Sequence, residues 1–376
     1  MFAQAREAPF VAQSGGVQDG TVHDLEERWV TFDYPYNMRC PVCPGITTLT
    51  PAEYYSEHDE ARMPCTRCGS EIHFGPAVMA LRDPSDPVLN DQVAGQVAWY
   101  HTSTDPGWPS RARPMPPSAA EFLARTMRPG DVRRIRDADE NRALHLGTYE
   151  SAIESMLRHM RDEGEGAAQF YLYRVALRRQ QLVIEPGCRD ENSEEASQIT
   201  QSDLGEADVI RYLNVRESPG SISLAVRPQI ISSVRRVSLP VHVAAASPAS
   251  LLLREVADLR AKVERIEATR PAGLDLVDRL RRDRAIRQGV PFTRSPTPQQ
   301  YELLDRICQL IEDEYLPGVS HPVRADFSNA LRAWRSAQEA PVDEAAYISR
   351  FASIARTLTH PGATFQALHE QAVREL

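Results

Sequence analysis

Hydrophobic spacing changes character along the chain. Up to about residue 250 the apolar runs are short, and several alternate with polar residues in the period of two that half-buried strands require. RWVTFDY and EIHFG, within 28–80, read as short strand-like pieces, and VAGQVAWYHTS (93–103), ALHLG (143–147) and FYLYRVAL (170–177) as strands. DVIRYLNVRE, SISLAV and VRRVSLPV read as further β segments, with Ser218-Pro219-Gly220-Ser221 turning between the first two. Two stretches of this first part have helical spacing instead. SAAEFLARTM (118–127) carries Ser118 as an N-cap. The helix 149–160, capped by Thr148, places Ala152, Ile153, Met156, Leu157 and Met160 on one face.

Beyond residue 250 every periodic segment is helical. Leu252, Val256, Leu259, Val263 and Ile266 are spaced four, three, four and three apart, a heptad seam with Val at a and Leu or Ile at d. In that register Glu255 faces Arg260 and Lys262 faces Glu267 across a parallel pair, so a homodimer through 252–266 is one expectation; packing of the same stripe on its own domain is the other. Further amphipathic helices at 298–315, 322–337, 342–358 and 363–375 read as a small bundle.

Segments without periodicity divide the rest. Residues 1–20 read as a disordered tail, DPGWPSRARPMPP (105–117) as a Pro-rich surface loop, CRDENSEEASQITQSD (188–203) as an acidic loop and 243–250 as a linker. The expected fold class is therefore α+β. Its expected parts are a cysteine-bearing module over 21–90, a mixed α+β domain over 91–242, a short coiled coil over 251–271 and a helical domain over 272–376.

Composition narrows the partners more than the fold. The net charge of −9 argues against a surface that coats nucleic acid broadly. Lys262 is the only lysine against 42 arginines, which reads first as the signature of a GC-rich, bacterial-type genome. No apolar run approaches the ~20 residues that span a bilayer, and the first residues do not read as a secretory signal, so a cytoplasmic protein with no membrane contact is expected.

In such a compartment the cysteine pattern suggests metal rather than disulfides. CPVC (40–43) and CTRC (65–68) are separated by 21 residues. Each C-x-x-C turn presents two thiolates with its backbone N–H groups aimed at the sulfurs, and two such knuckles complete a tetrahedron. Gly69, just after the second pair, permits the positive φ that closes a knuckle. The arrangement resembles a zinc ribbon. Four thiolates from Cys40, Cys43, Cys65 and Cys68 leave no open position, so a bound Zn2+ would be structural.

Two strand ends, WYHTST (99–104) and LHLGTYESAI (144–153), share a His-then-Thr form and run toward helical or polar segments. Tyrosines 171 and 173 follow on a later strand, and Glu217 comes near the end of the β-rich part. In order and spacing these residues resemble the ADP-ribosyltransferases of the diphtheria-toxin and poly(ADP-ribose) polymerase type. The resemblance implies that NAD is the substrate and that ADP-ribose passes to a macromolecular acceptor, protein or nucleic acid, in a bacterial toxin or defence setting. It also implies that His145 positions a ribose, that Tyr171 stacks on the nicotinamide, and that Glu217 is the catalytic carboxylate. His101, Thr102, Gly147, Thr148 and Tyr173 would contribute to binding NAD. Leu146 separates His145 from its glycine where the family has the two adjacent, so His101 and His145 are both candidates for the ribose histidine.

Each of these residues also has a plainer reading. A histidine at a strand end is commonly a satisfied polar residue, Tyr171 and Tyr173 share one strand face, and Glu217 beside a turn could be solvated. No nucleophile elbow, phosphate-binding loop or dinucleotide glycine fingerprint occurs. The rival expectation is a non-enzymatic zinc-ribbon adaptor that binds nucleic acid or protein.

Overall fold

The computed structural model describes residues 25–58, 61–75, 78–109, 125–128, 141–179, 182–190, 199–241, 250–289, 292, 294–338 and 340–376. The expected tail, most of the helix expected at 118–127, much of the Pro-rich and acidic loops and nearly all of the expected linker lie outside them. The fold is mixed α+β.

Two small hairpins form the cysteine-bearing module. Strand β1 (Tyr36–Arg39) pairs antiparallel with β2 (Ile46–Leu49), and β3 (Arg62–Pro64) with β4 (Glu71–His73). Helix α1 (Pro51–His58) joins them. Its start is fixed by reciprocal bonds: Thr50 N–H donates to Glu53, and Glu53 N–H to the Thr50 hydroxyl. Period-two alternation turns Tyr36, Met38, Met63 and Ile72 inward. Tyr36, Tyr54 and Phe74 stack as nearly parallel rings, with centroids 3.8 and 5.4 Å apart.

The short helix α2 (Asp91–Ala94) leads into two antiparallel sheets. One has the order β11 (Arg374–Glu375), β10 (Ile231–Leu239), β7 (Phe170–Leu177), β5 (Trp99–Ser103); the other has β6 (Leu144–Leu146), β9 (Ile222–Val226), β8 (Val209–Leu213). Among the described residues a single bridge joins them. Tyr100 N–H donates to Gly147 O at 3.0 Å, and Gly147 N–H to Tyr100 O at 2.9 Å. The two sheets therefore splay from β5 and β6, and the ends of these strands come together. Helix α3 (Tyr149–Asp162) starts at that junction, capped by the Thr148 hydroxyl, and buries Ala152, Ile153, Met156, Leu157 and Met160. Trp99 and Trp108 are buried in the apolar core.

The C-terminal part comprises α4 (Ser250–Ala268), α5 (Leu276–Gln288), α6 (Pro298–Tyr315), α7 (His321–Ser336), α8 (Glu344–Thr359) and α9 (Pro361–His369). The last helix stops at His369, short of the expected 375, because Arg374–Glu375 leaves the helix to pair with Ser233 and Val234 at the edge of β10. Among the described residues no helix is long and apolar enough to cross a membrane.

The heptad seam packs within its own chain. Leu252 and Val256 are buried in the core shared with Ile307 and Ile311 of α6. Arg260 pairs with Glu344 at 3.2 Å, and Glu267 accepts from Gln300 and Arg270. Both residues that a parallel dimer would use at e thus have partners in cis. One apolar cluster runs from Tyr36 and Met38 of the hairpins through Ile153 and Met156 of α3 to Phe327 and Phe351 of the bundle. The Tyr149 hydroxyl adds a hydrogen bond to Thr357 O at 2.8 Å.

Candidate functional site

Cys40, Cys43, Cys65 and Cys68 converge between the two hairpins, every sulfur within 4.8 Å of the others. Cys40 Sγ lies 3.6 Å from Cys68 Sγ, and Cys43 Sγ 3.8 Å from Cys65 Sγ. Tetrahedral thiolates on zinc, with Zn–S near 2.3 Å, stand about 3.8 Å apart, so the donor set fits that ion. Each knuckle is pre-formed by its backbone. Val42 and Gly45 N–H groups point at Cys40 and Cys43, and Arg67 N–H at Cys65, each at 3.4 Å. Gly69 takes φ +75° and returns its N–H to Cys65 O. The cluster is positioned like a zinc ribbon.

A second feature lies where the sheets part. A cavity of about 490 Å³ is bounded by β5, β6, β8, β9 and the outward side of α3. That is the size of pocket that takes a small ligand. His101 and Thr102 reach it from β5, His145 and Gly147 from β6, Tyr212 from β8 and Ser223 from β9. Helix α3 contributes Ser151, Ser155, Arg158 and His159, and Glu217 enters from the β8–β9 loop.

Glycine is needed at position 147 for space. A Cβ there would lie 2.1 Å from Ser151 Oγ and 3.2 Å from Ser223 Oγ. Glu217 is set by an Asx turn, in which Asn214 Oδ1 accepts from the N–H groups of Arg216 and Glu217 at 3.2 and 3.1 Å. Asn214 Nδ2 in turn donates to Ser223 Oγ. The Glu217 carboxylate receives Arg158 Nε at 2.6 Å through Oε1.

The two histidines are held differently. His101 Nδ1–H donates to His145 O at 3.0 Å, and its ring stacks on Trp108 with centroids 4.3 Å apart. His145 Nδ1 meets the Tyr212 hydroxyl at 3.0 Å, while its Nε2 is buried with no hydrogen-bond partner among the described residues. Burial, with Arg142 nearby, lowers the His145 pKa to about 4 and keeps the ring neutral. His159 goes the other way. Burial opposes its charging, but the Glu163 and Glu165 carboxylates at 2.9 and 3.2 Å outweigh that and raise it to about 9. His159 and Arg158 hold Glu163 down to about 2. Arg142, Arg158, Arg216 and protonated His159 face Glu163 and Glu217, so the lining carries more positive than negative charge.

Of the residues singled out from sequence, His101, Thr102, His145, Gly147 and Glu217 line this one cavity. Thr148 is spent as the cap of α3. Tyr171 and Tyr173 are not among the lining residues. They project from β7 toward the core behind β5, where the Tyr173 hydroxyl donates to Asp105 O at 2.6 Å and the Arg236 guanidinium sits 4.9 Å above the Tyr171 ring. The tyrosines at the cavity are Tyr100 and Tyr212. The strand order accounts for this: β7 lies on the side of β5 away from the second sheet, whereas Tyr212, opposite Ser223, belongs to the sheet that holds His145. Sequence reasoning also missed Ser155, Arg158 and His159, although Ser151, Ser155 and Arg158 are spaced four and three apart and form a polar stripe opposite the apolar face of α3.

Compared with protein-family models, with curated proteins and with solved structures, the chain matches none.

Proposed function

We propose that the cavity binds NAD and that the protein transfers ADP-ribose to a macromolecular acceptor, protein or nucleic acid. What carries the reading is the meeting of His101, His145, Gly147 and Glu217, distant in the chain, in one cavity beside the start of a capped helix. Arg158, Arg216 and His159 offer positive charge for a diphosphate. The buried Nε2 of His145 is left without a hydrogen-bond partner among the described residues, so a donor brought to it on opening of the wall would satisfy it. Tyr212 takes the aromatic role that the family resemblance would give to Tyr171.

In this reaction the bond between the nicotinamide nitrogen and C1′ of its ribose breaks, and nicotinamide leaves with the electron pair. A lone pair of the acceptor forms the new bond to C1′, and the acceptor proton passes to solvent. Glu217 stabilises the positive charge that develops on the ribose. Arg158 engages its Oε1, and Oε2 has no protein partner among the described residues. The four cysteines hold a structural zinc ion that takes no part in the transfer.

The test is release of nicotinamide from NAD by the purified protein, compared with Glu217→Gln and His145→Ala. We expect turnover that falls by about 10²-fold or more in Glu217→Gln. Absent turnover, or turnover retained in both variants, overturns the reading and leaves a metal-stapled binding module.

A further inference from the structure

We propose that the crevice between α4, α6, α7 and α8 is a binding site for an apolar carboxylate, a small molecule with a hydrophobic body and one anionic head. The crevice measures about 420 Å³ and lies in the helical bundle, away from the cavity of the proposed transferase. Its floor is core material: Ile307, Ile311 and Phe351 are each no more than 2% exposed. Protein interiors rarely leave voids much larger than a water molecule. An opening of this size over buried aliphatic and aromatic groups, between helices of a bundle, is the setting in which apolar ligands are held.

The rim supplies the charge. Arg260 and Arg335 reach the crevice and share a single carboxylate, Glu344, each at 3.2 Å. Arg332 shares none. It donates to Asn329 Oδ1 at 2.9 Å and to Cys308 Sγ at 3.3 Å, and it has no carboxylate partner among the described residues. These two contacts hold the guanidinium beside the crevice and leave its other N–H donors for a planar, bidentate carboxylate. Asp305 lies on the same rim and disfavours a second negative charge on the ligand.

Cys308 provides the readout, because its half-buried thiol is part of the crevice wall. Alkylation of the full-length protein by iodoacetamide is followed by mass spectrometry at Cys308, with Cys188 as the internal control. The probes are decanoate, 2-naphthoate, decanol and acetate. We expect decanoate or 2-naphthoate, at about ten times its Kd, to slow alkylation of Cys308 roughly tenfold while Cys188 is unaffected. The carboxylate that protects better identifies the body as aliphatic or aromatic. Decanol and acetate should protect at least about tenfold more weakly, and Arg332→Gln should remove the advantage of carboxylate over alcohol. Leu304→Trp, which fills the crevice from a half-buried position, should abolish protection. No protection by either apolar carboxylate, equal protection by decanol, or protection unchanged in both variants overturns the proposal.

Discussion

Glu154 and Ser218 are joined by a 2.6 Å hydrogen bond from the serine N–H to a carboxylate oxygen in the middle of α3. The other oxygen accepts from the Tyr34 hydroxyl at 2.7 Å. Ser218 follows Glu217, is fully buried and sits at φ +51°, a left-handed conformation that non-glycine residues adopt only when their surroundings hold them there. Arg82 adds to the hold, donating from its guanidinium to Ser218 Oγ and from its backbone to Gly220 O. The segment leading into the cysteine module, helix α3 and the loop that carries Glu217 are thus fastened at one carboxyl group.

The same group should mark the stability of the protein with pH. Burial raises the Glu154 pKa from 4.5 to about 8, against the opposing effect of its hydrogen-bond donors. The folded state then holds a proton that the unfolded chain has released, so stability falls as pH rises from about 4.5 to about 8 and levels off beyond. Glu154→Gln, neutral throughout, should lose that dependence. We expect the Tm difference between wild type and variant to change by roughly 5 °C across this window in calorimetry. Parallel Tm profiles from pH 5 to pH 9 would show that Glu154 ionises in the folded state much as it does in the unfolded chain.

What was legible in the sequence was what is local. The period of α3 and its Thr148 cap are written within fifteen or so residues, and each C-x-x-C knuckle is a turn whose backbone makes its own sulfur contacts. The cavity depends on a pairing that no local signal specifies. The Tyr100–Gly147 bridge aligns two strand ends far apart in the chain, and that alignment carries both histidines to one place. Tyr212 was hidden because all five residues of β8 are buried and its sequence shows no alternation to mark a site-facing side. The seam on α4 was readable, its partner was not, since a stripe of Leu and Val is the same whether α6 or a second chain covers it.

Removing the metal should unfasten more than the hairpins. Cys40 and Cys65 are buried in the same apolar cluster as Met38, Ile72 and Ile153, so loss of an ion held there would expose part of the main core. We expect one zinc per chain by elemental analysis, and its loss on Cys65→Ser or prolonged chelation. We also expect a fall in Tm on the order of 10 °C or more, since the four thiols tie both hairpins at one point of the main apolar cluster. A chain that carries no metal as purified and melts unchanged in chelator would contradict the assignment.

Gly147 offers a test of the cavity wall that needs no activity. A Cβ at this position meets Ser151 Oγ at 2.1 Å, and that hydroxyl is held by its bond to Thr148 O at 3.1 Å. Gly147→Ala should destabilise by about 1–3 kcal/mol through overpacking. Removing the clashing atom in Gly147→Ala with Ser151→Ala should recover most of that loss. Chemical denaturation of the four proteins gives the coupling directly. Additive single and double variants would mean that the strand ends relax apart rather than meet as described.

Two of the three histidines that line the cavity, His145 and His159, should titrate on opposite sides of neutrality. His159 is raised to about 9 chiefly by Glu163 and Glu165, so its contribution to stability is complete below its ordinary value of 6.5 and is lost as pH rises through 9. His145 is lowered to about 4, so its contribution is present above 6.5 and is lost as pH falls through 4. Between pH 5 and pH 8, then, neither ring changes charge, and any activity of the cavity should show no inflection near 6.5 that belongs to them. NMR titration of histidine ring signals, assigned with His145→Gln and His159→Gln, should find one neutral and one protonated imidazole across this range. The affinity of a diphosphate ligand should hold steady to about pH 8 and weaken above pH 9, as the His159 charge is lost beside Arg158. Should His159 instead titrate near 6.5, its pairing with Glu163 and Glu165 does not persist in solution, and the positive side of the cavity rests on its arginines alone.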